Sequence, residues 1–250
     1  MDLGIKGKRA LVTAGSKGLG RGCAEALAAA GVDLVINARG EAALEATAAV
    51  LRAYGVQVTT VAADVTTPAG QAAVLAAAGD VDILVTNAGG PPPGSWETWT
   101  REDYLRAIDA NMLTPIALMT ALMPGMIGKG WGRVVNITSQ SVKAPVAALG
   151  LSNTARAGLT GFVAGTARQV APFGVTINNL LPGMHDTDRA TMLDGGQPEV
   201  RAAREAGIPV RRYGTAAEFG AMCAFLCSVH AGYIVGQNIL LDGGAINATL

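Results

Sequence analysis

Short apolar runs recur along the 250-residue chain and alternate with longer segments of helical periodicity. The runs are rich in Val, Ile and Leu and do not alternate strictly with polar residues, which is typical of strands buried on both faces of a sheet. Val134, Val135 and Ile137 form one such run, and hydroxyl side chains follow it directly. The pattern predicts strands at residues 9–13, 34–37, 56–62, 83–86, 134–137, 175–181 and 238–242.

Between these runs, apolar residues recur at helical spacing. A long helix is predicted over residues 101–127, and another begins near Leu151 and is stopped by Pro172. Residues 184–209 are expected to be irregular or short-helical, because Gly195, Gly196 and Pro198 interrupt them. The remaining helices are predicted at 41–54, 69–78 and 218–228, with a first helix that ends near Ala30.

Strands and helices therefore alternate with short connections. This order indicates an α/β fold of Rossmann type, a doubly wound parallel sheet with helices on both faces. No linker, charge block or low-complexity tract interrupts residues 1–250, so a single domain is expected.

The charge balance narrows the range of partners. The chain has 19 basic and 19 acidic residues and no visible basic patch, so nucleic acid is not expected as a partner. The most apolar segment, 115–128, is too short to span a bilayer, and the N-terminus has no signal-peptide pattern. Three cysteines without disulfide spacing suit a reducing compartment, and we expect a cytoplasmic protein without a membrane anchor.

Two of these cysteines raise the question of a metal site. Cys223, Cys227 and His230 can share one helix face, but one helix surface rarely supplies a closed tetrahedral site and no fourth ligand is evident. Buried thiols are therefore favoured, and no metal is expected.

A glycine-rich loop follows the first predicted strand and precedes the first helix. Its glycines, spaced G-x-x-x-G-x-G, let backbone N–H groups approach a pyrophosphate at the positive end of a helix. The alternative is a tight turn kept only for close packing. The position between strand and helix favours dinucleotide binding by Gly15, Ser16, Lys17, Gly18, Leu19 and Gly20.

The end of the second strand predicts which dinucleotide binds. NAD binding calls for an acidic side chain there, whereas an Arg accommodates the 2′-phosphate of NADP. The sequence has Ala38 and Arg39 at this point, with no acid before Glu41, and Lys17 adds a second cation. NADP(H) is therefore predicted in preference to NAD(H). The alternative is that Arg39 is only a solvated surface residue.

A polar cluster is predicted where the fifth strand ends. Ser139 follows this strand, and Ser152 and Arg156 lie four residues apart on the next helix, so both project from one face. Open α/β sheets place their chemistry at the carboxyl ends of strands.

The whole set of motifs resembles the short-chain dehydrogenase/reductase family, from Gly7 to Gly244. The glycine loop is similar to the family's T-G-x-x-x-G-x-G, with Ala14 in place of the first Gly. Residues 234–237 and 242–244 resemble its C-terminal signature. The resemblance implies further cofactor contacts at Asp64, Val65, Asn87, Ala88, Gly89, Arg156, Pro182, Gly183, His185 and Thr187.

The family's active helix carries Tyr-x-x-x-Lys, and this chain departs from it. When the chain is aligned with the family motif at residues 157–159, Ser152 occupies the Tyr position and Arg156 the Lys position. Asn111 and Ser139 match the family's Asn and Ser. The resemblance implies a catalytic set of Asn111, Ser139, Ser152 and Arg156. A serine hydroxyl is far less acidic than a phenol, and Arg does not deprotonate in proteins.

Three functions follow from this site. The first is an NADP(H)-dependent oxidoreductase, similar to the family's 3-oxoacyl reductases, whose proton comes from water ordered by Ser139, Ser152 and Asn111, or from His185. The second is a catalytically silent NADP-binding sensor or assembly subunit. The third is a different reaction in the same pocket.

The loops around the predicted site indicate what kind of substrate enters it. Trp96, Trp99, Met184 and Met192 are expected near the substrate mouth and favour an apolar carbonyl or alcohol, although such side chains also anchor loops.

The family pairs the active helix and the preceding long helix across a dimer interface, commonly within a tetramer. Glycines on the active helix allow close backbone approach, so a homo-oligomer is predicted through Gly158, Gly161 and Gly165.

Overall fold

A computed structural model describes residues 1–248 and contains one seven-stranded sheet in the order β3-β2-β1-β4-β5-β6-β7. Every neighbouring pair of strands is parallel. The predicted doubly wound parallel sheet is thus confirmed. The strands are β1 (Arg9–Val12), β2 (Asp33–Ala38), β3 (Val58–Ala62), β4 (Ile83–Thr86), β5 (Gly132–Ile137), β6 (Val175–Pro182) and β7 (Asn238–Leu241).

Helices cover both faces of the sheet and form two hydrophobic cores. Ala10 and Val12 of β1 face one core and Leu11 faces the other, as the two-residue period of a strand requires. The first core includes α1 (Gly18–Ala29), α2 (Glu41–Arg52) and α9 (Ala216–Leu226). The second includes α3 (Pro68–Ala78), α5 (Thr114–Gly128) and α6 (Gly150–Val170).

The long predicted helix is interrupted. Helix α4 (Arg101–Ile108) passes through a π-helical turn (Asp109–Leu113) before it continues as α5. Asn111 lies in this turn. A π-turn inserts an extra residue into a helix and often marks a functional site. Apolar periodicity does not reveal it, because both flanking helices keep their own pattern.

The segment predicted as irregular contains two helices, α7 (Asp188–Leu193) and α8 (Pro198–Gly207). The glycines lie between them, so they separate helices rather than prevent them. Other boundaries moved by a few residues: β3 begins at Val58, and α9 begins at Ala216 after a capping box formed by Thr215 and Glu218.

Residues 101–128 form a helical stretch that is long and apolar enough to cross a bilayer, by length and composition only. Its apolar residues pack on the sheet, including Leu118, Met119 and Met126, which is how the core helix of an α/β domain is used. Over the described part of the chain, no group of His, Cys, Asp and Glu is placed to hold a metal ion, and Cys23, Cys223 and Cys227 are buried free thiols.

Buried polar side chains also connect four strands, which the sequence did not predict. Thr86 donates to Asn136 (2.5 Å), Asn136 to Asn179 (3.1 Å) and Asn179 to Asn238 (2.8 Å). Each pair lies directly opposite in the register of β4, β5, β6 and β7. This ladder stabilises the strands immediately below the site, because buried polar groups need partners.

Candidate active site

The strand order reverses between β1 and β4, so their carboxyl ends open a crevice at a topological switch point. The loops that leave the two strands are tied together. Asn87 donates its backbone N–H to Thr13 Oγ1 (2.8 Å), and that hydroxyl donates to the Asn87 carbonyl (2.8 Å). Thr13 was not among the predicted site residues, although it holds the two walls of the crevice in register.

The glycine loop forms one wall as predicted. Gly18 has φ +56° where α1 begins, and the Gly15 N–H donates to the Asn37 carbonyl (3.0 Å). A Cβ at Gly20 would overlap the Ala14 carbonyl and lie 2.8 Å from Asn87 Nδ2. Within residues 1–248, no side chain caps the first turn of α1, and that turn holds no acid. The helix terminus therefore presents N–H groups suited to a phosphate.

Ala14 has φ +47°, a left-handed conformation that disfavours residues with a Cβ. This position is the one at which the glycine loop departs from the motif it resembles. Gly15, Gly20 and the Thr13–Asn87 link fix the backbone around Ala14 and so hold it in this conformation.

The predicted cofactor contacts after β2 and β3 combine an exposed cation, Arg39, with an acid, Asp64. Asp64 accepts hydrogen bonds from the Thr66 hydroxyl (2.7 Å) and the Thr66 N–H (3.0 Å). These bonds, with a smaller effect from nearby Arg39, lower the pKa of Asp64. Val65 beside it is half-buried and packs against the second core. Arg39 is exposed at the end of β2, as expected for a phosphate-binding residue and equally for a solvated one.

Lys17, the second predicted cation, has a partner that the sequence did not reveal. Its Nζ lies 3.2 Å from Asp188 Oδ2, at the start of α7. Both side chains are largely exposed, so the pair contributes little to stability. A phosphate would compete with Asp188 for Lys17.

Of the predicted cofactor contacts after β4, Asn87 and Ala88 are half-buried, and a Cβ at Gly89 would meet only open space. The Gly183 N–H donates to the Leu241 carbonyl (2.8 Å), so the Pro182–Gly183 turn is held against β7. Thr187 caps α7 through the Ala190 N–H (3.4 Å) and lies close to Gly18.

His185 lies on the same segment but is packed as a structural residue. It is buried, its ring packs edge-on against Phe219 at 5.2 Å, and Nδ1 lies 3.2 Å from the Gly183 carbonyl. Burial lowers the pKa of His185. The ring also fills the space beside Gly214. These contacts give no support to His185 as a proton source, one of the two sources considered from the sequence.

Ser152 and Arg156 are brought together at the end of β5. Arg156 donates from Nη1 to the carbonyls of Ile137 (2.7 Å) and Thr138 (2.8 Å), and from Nε to Ser152 Oγ (3.2 Å). The Arg156 side chain is buried, and desolvation with repulsion by Arg189 lowers its pKa to about 10. The guanidinium therefore stays protonated at neutral pH. Three of its five N–H groups are engaged by the protein, which limits the contact to ribose hydroxyls expected from the sequence.

Ser139 and Asn111 complete the predicted catalytic set. Ser139 follows β5 and accepts the Ser141 N–H (3.1 Å), which leaves its hydroxyl hydrogen free to point elsewhere. Asn111 Nδ2 donates to the Ala107 carbonyl (3.3 Å). The Oδ1 atom of Asn111 is buried without a partner among the described residues, so it can hold a water.

The predicted substrate walls divide into anchors and free side chains. Trp99 packs over Gly150 and Gly94, which makes it a loop anchor, whereas Trp96 is 78% exposed and Met192 55% exposed. Met184 packs in a small cluster with Tyr213. Another residue of this region, Arg189, was missed: its Nη2 donates to the Pro91 carbonyl (2.7 Å) across the mouth. No sequence signal marked it beyond its position two residues after Thr187.

The fold and crevice define a dinucleotide-binding α/β protein, and comparison with known proteins specifies the family. The family model described as enoyl-(acyl carrier protein) reductase matches residues 13–246. The 3-oxoacyl-acyl-carrier-protein reductase of Escherichia coli (strain K12) is 36% identical over 97% of this chain and 98% of its own length. The corresponding reductase of Vibrio cholerae is 35% identical over the same shares.

Solved structures with a similar fold belong to reductases as well. L-Sorbose reductase from Gluconobacter frateurii, complexed with NADPH and L-sorbose, superposes with a TM-score of 0.92 at 30% identity, covering 99% of this chain and 100% of that one. The chain belongs to the short-chain dehydrogenase/reductase family, and it is an NAD(P)-dependent oxidoreductase.

Proposed function

We propose that this protein transfers hydride between NADP(H) and a carbonyl or alcohol substrate, in the manner of a 3-oxoacyl reductase, at a Ser-x-x-x-Arg site. The observation that carries the proposal is the Ser152–Arg156 pair, which is bonded to the end of β5 directly beside Ser139. A fixed positive charge and two hydroxyls thus meet at the carboxyl end of the sheet, where the relatives' chemistry is expected.

The crevice fits a nicotinamide dinucleotide. Gly18 adopts a positive φ of +56° where α1 begins, and a Cβ at Gly20 would overlap the Ala14 carbonyl, so both glycines keep the loop close to the start of the helix. The open space beside Gly89 suits a flat ring. In this assignment, the glycine loop holds the pyrophosphate, Asp64 and Val65 contact the adenine, and Arg156 offers its remaining N–H groups to the ribose. The bound cofactor supplies the hydride.

The preference for NADP(H) rests on the residues that follow β2. Ala38 stands where an acid would repel a 2′-phosphate, and Arg39 is exposed beside it. Lys17 adds a second cation after it leaves Asp188. Guanidinium and ammonium groups favour the phosphate by charge-assisted hydrogen bonds.

The protein's side chains stabilise the developing charge and supply the proton. Ser139 donates to the substrate oxygen, and the Arg156 charge stabilises the negative charge that develops there. Ser152 and Asn111 Oδ1 hold water that supplies the proton, because neither a serine hydroxyl nor a guanidinium is a good acid at neutral pH. We expect turnover slower than with a Tyr, since general acid catalysis is typically worth about 10²- to 10⁴-fold.

Turnover of a carbonyl panel tests this function. NADPH oxidation is measured with 3-oxoacyl thioesters, short oxo acids and ketoses, for wild type and Ser139→Ala. We expect reduction of at least one class and a loss of about 10²-fold in Ser139→Ala, the cost of removing one donor to a developing oxyanion. Ser141→Ala, which removes a neighbouring hydroxyl that has no hydrogen-bond partner among the described residues, serves as the control.

A wild type that binds NADPH but turns over no compound in either direction would contradict the proposal. That result would favour the silent NADP-binding protein instead.

Assembly is proposed from the outer face of α6. Gly158 is explained within the chain, because a Cβ there would overlap Met112, but Gly161 and Gly165 face open space. Helix α4 and the π-turn both contact α6, and on them Leu105 and Leu113 are 40% and 46% exposed. A second copy of this chain would cover these groups, giving a dimer or tetramer. A monomeric mass by light scattering would reject this assembly. Location in the cytoplasm stays a prediction.

A further inference from the structure

The acidic residues around α7 already have cationic partners. Asp186 pairs with Arg201 (2.8 Å), Asp188 with Lys17 (3.2 Å) and Asp194 with Arg204 (2.7 Å). In residues 1–248, Arg189 has no carboxylate within ion-pair distance; its hydrogen bond goes to the Pro91 carbonyl. These three carboxylates are therefore neutralised, whereas Arg189 has no carboxylate partner among the described residues.

Arg189 lies at the mouth of the crevice. Its Nη2 reaches Pro91 (2.7 Å) on the loop that follows β4, while its backbone belongs to α7 after β6. The guanidinium also lies over Gly90, since a Cβ built on that glycine would be 3.5–3.8 Å from its atoms, in ordinary van der Waals contact. The side chain thus spans the two loops between which a substrate must enter.

A second uncompensated cation lies deeper. Arg156 is buried and is bonded to two carbonyls and a hydroxyl, without a carboxylate among the described residues. Arg156 bonds to the residues that end β5, and Arg189 lies on the helix that follows β6, the strand next to β5. Repulsion by Arg189 adds to the desolvation that lowers the pKa of Arg156. Two cations with low-dielectric walls produce a positive field that attracts an anion.

We propose that the substrate is an oxo acid, or the corresponding hydroxy acid, whose carboxylate is bound by Arg189. The carboxylate replaces the Pro91 carbonyl as the acceptor of the Arg189 N–H groups and turns a neutral hydrogen bond into a charge-assisted, bidentate one. The deeper Arg156 adds attraction without changing its own bonds. This assignment rests on the proposed function, because it places the carboxylate beside a reducible carbonyl.

The expected selectivity can be measured with a matched pair of ligands. Levulinate and its neutral amide share one carbonyl and one carbon chain and differ by the charge of the terminal group. Binding of each to the NADP⁺-loaded protein is measured by calorimetry, and reduction of each is measured with NADPH. We expect levulinate to be favoured by about tenfold to a hundredfold, the range for a hydrogen bond to a charged group.

Three variants distinguish a specific effect of Arg189 from a general effect of the protein's net charge. Arg189→Met is expected to abolish the preference for the acid, and Arg189→Lys to keep part of it, because an ammonium retains the charge without the bidentate geometry. Arg52→Met removes the same charge from an exposed position at the end of α2 and is expected to keep the full preference.

Several outcomes would overturn the assignment. These are equal binding of acid and amide, no detectable binding of the acid at millimolar concentration, or a preference that survives in Arg189→Met. Weaker NADP⁺ binding in Arg189→Met with unchanged selectivity would instead make Arg189 a cofactor contact. Acid-selective binding without any reduction would reject the proposed function and leave the carboxylate site in place. Equal reduction of both ligands would reject the carboxylate site and support the proposed function.

Discussion

The glycine loop and the Ser152–Arg156 corner lie at the same edge of one sheet, yet they depend on the sequence in different ways. The loop works through backbone: Gly18 supplies a positive φ, Gly20 the absence of a Cβ, and α1 its N–H groups. The corner works through side chains, with Arg156 bonded to β5 and to Ser152. A backbone site tolerates Ala14 at a left-handed position, because its shape is held from several sides.

In the corner, the chemistry depends on which side chains are present, while the packing needs only their hydrogen bonds. Arg156 attaches the helix to β5 through two carbonyls, which satisfies its packing without supplying a proton donor. The difference between the two regions is that backbone geometry is shared by many sequences, whereas acidity belongs to one functional group. Four experiments sharpen or break this contrast.

Restoring the family's pair should have the largest effect. Ser152→Tyr combined with Arg156→Lys introduces a phenol whose pKa a nearby Lys lowers, so kcat/KM for ketone reduction should rise by about 10²- to 10⁴-fold. Each single change should do less, because the Lys acts through the Tyr and such partners are not additive. NADPH affinity is measured for wild type, both singles and the double variant. Unchanged turnover in all four, with binding intact, would contradict a controlling role for these positions.

Breaking the backbone site should have the next largest effect. In Gly20→Ala, the new Cβ overlaps the Ala14 carbonyl and crowds Asn87 Nδ2. Overpacking of this kind costs about 1–3 kcal/mol, and we expect NADPH affinity to fall by roughly tenfold to a hundredfold. Gly128→Ala is the matched control, because a Cβ there meets nothing within 4 Å. Equal NADPH affinities in the two variants, by fluorescence titration, would show that the loop does not hold the cofactor.

Removing the cations Arg39 and Lys17 beside the glycine loop should have a smaller effect on nucleotide affinity. Arg39→Met should weaken NADPH by about tenfold and leave NADH unchanged, as expected for one hydrogen bond to a phosphate. Lys17→Met should cost less, because Lys17 must first leave Asp188. Both nucleotides are titrated at one ionic strength. Tighter NADH binding in the wild type would remove the assignment of Arg39.

The smallest effect is expected from removing the strain at Ala14. Ala14→Gly relieves a positive φ that costs about 1–2 kcal/mol but adds freedom to the unfolded chain, so the free energy of unfolding should rise by roughly 1 kcal/mol or less. Ala46→Gly, at an exposed position of α2, should instead lower it by about 0.5–1 kcal/mol. Urea denaturation measures both, and a destabilised Ala14→Gly would show that the loop does not strain this residue.

The sequence alone determined the parallel sheet, because buried strands and amphipathic helices leave apolar patterns that depend only on neighbours along the chain. It also determined the glycine loop, since glycine spacing between a strand and a helix reports local backbone geometry. The proximity of Ser152, Arg156 and the end of β5 was foreseen for the same reason. All three lie within one strand–helix unit.

Only the tertiary structure decided the rest, because it joined residues that are far apart in the chain. Lys17 meets Asp188, Arg189 reaches Pro91, and Thr13 bonds Asn87 across the switch point. The π-turn around Asn111 likewise depends on how α4 and α5 pack, which a periodicity of apolar residues does not record. Local patterns specify elements, while the charges that face one crevice are set by the loops the sheet brings together.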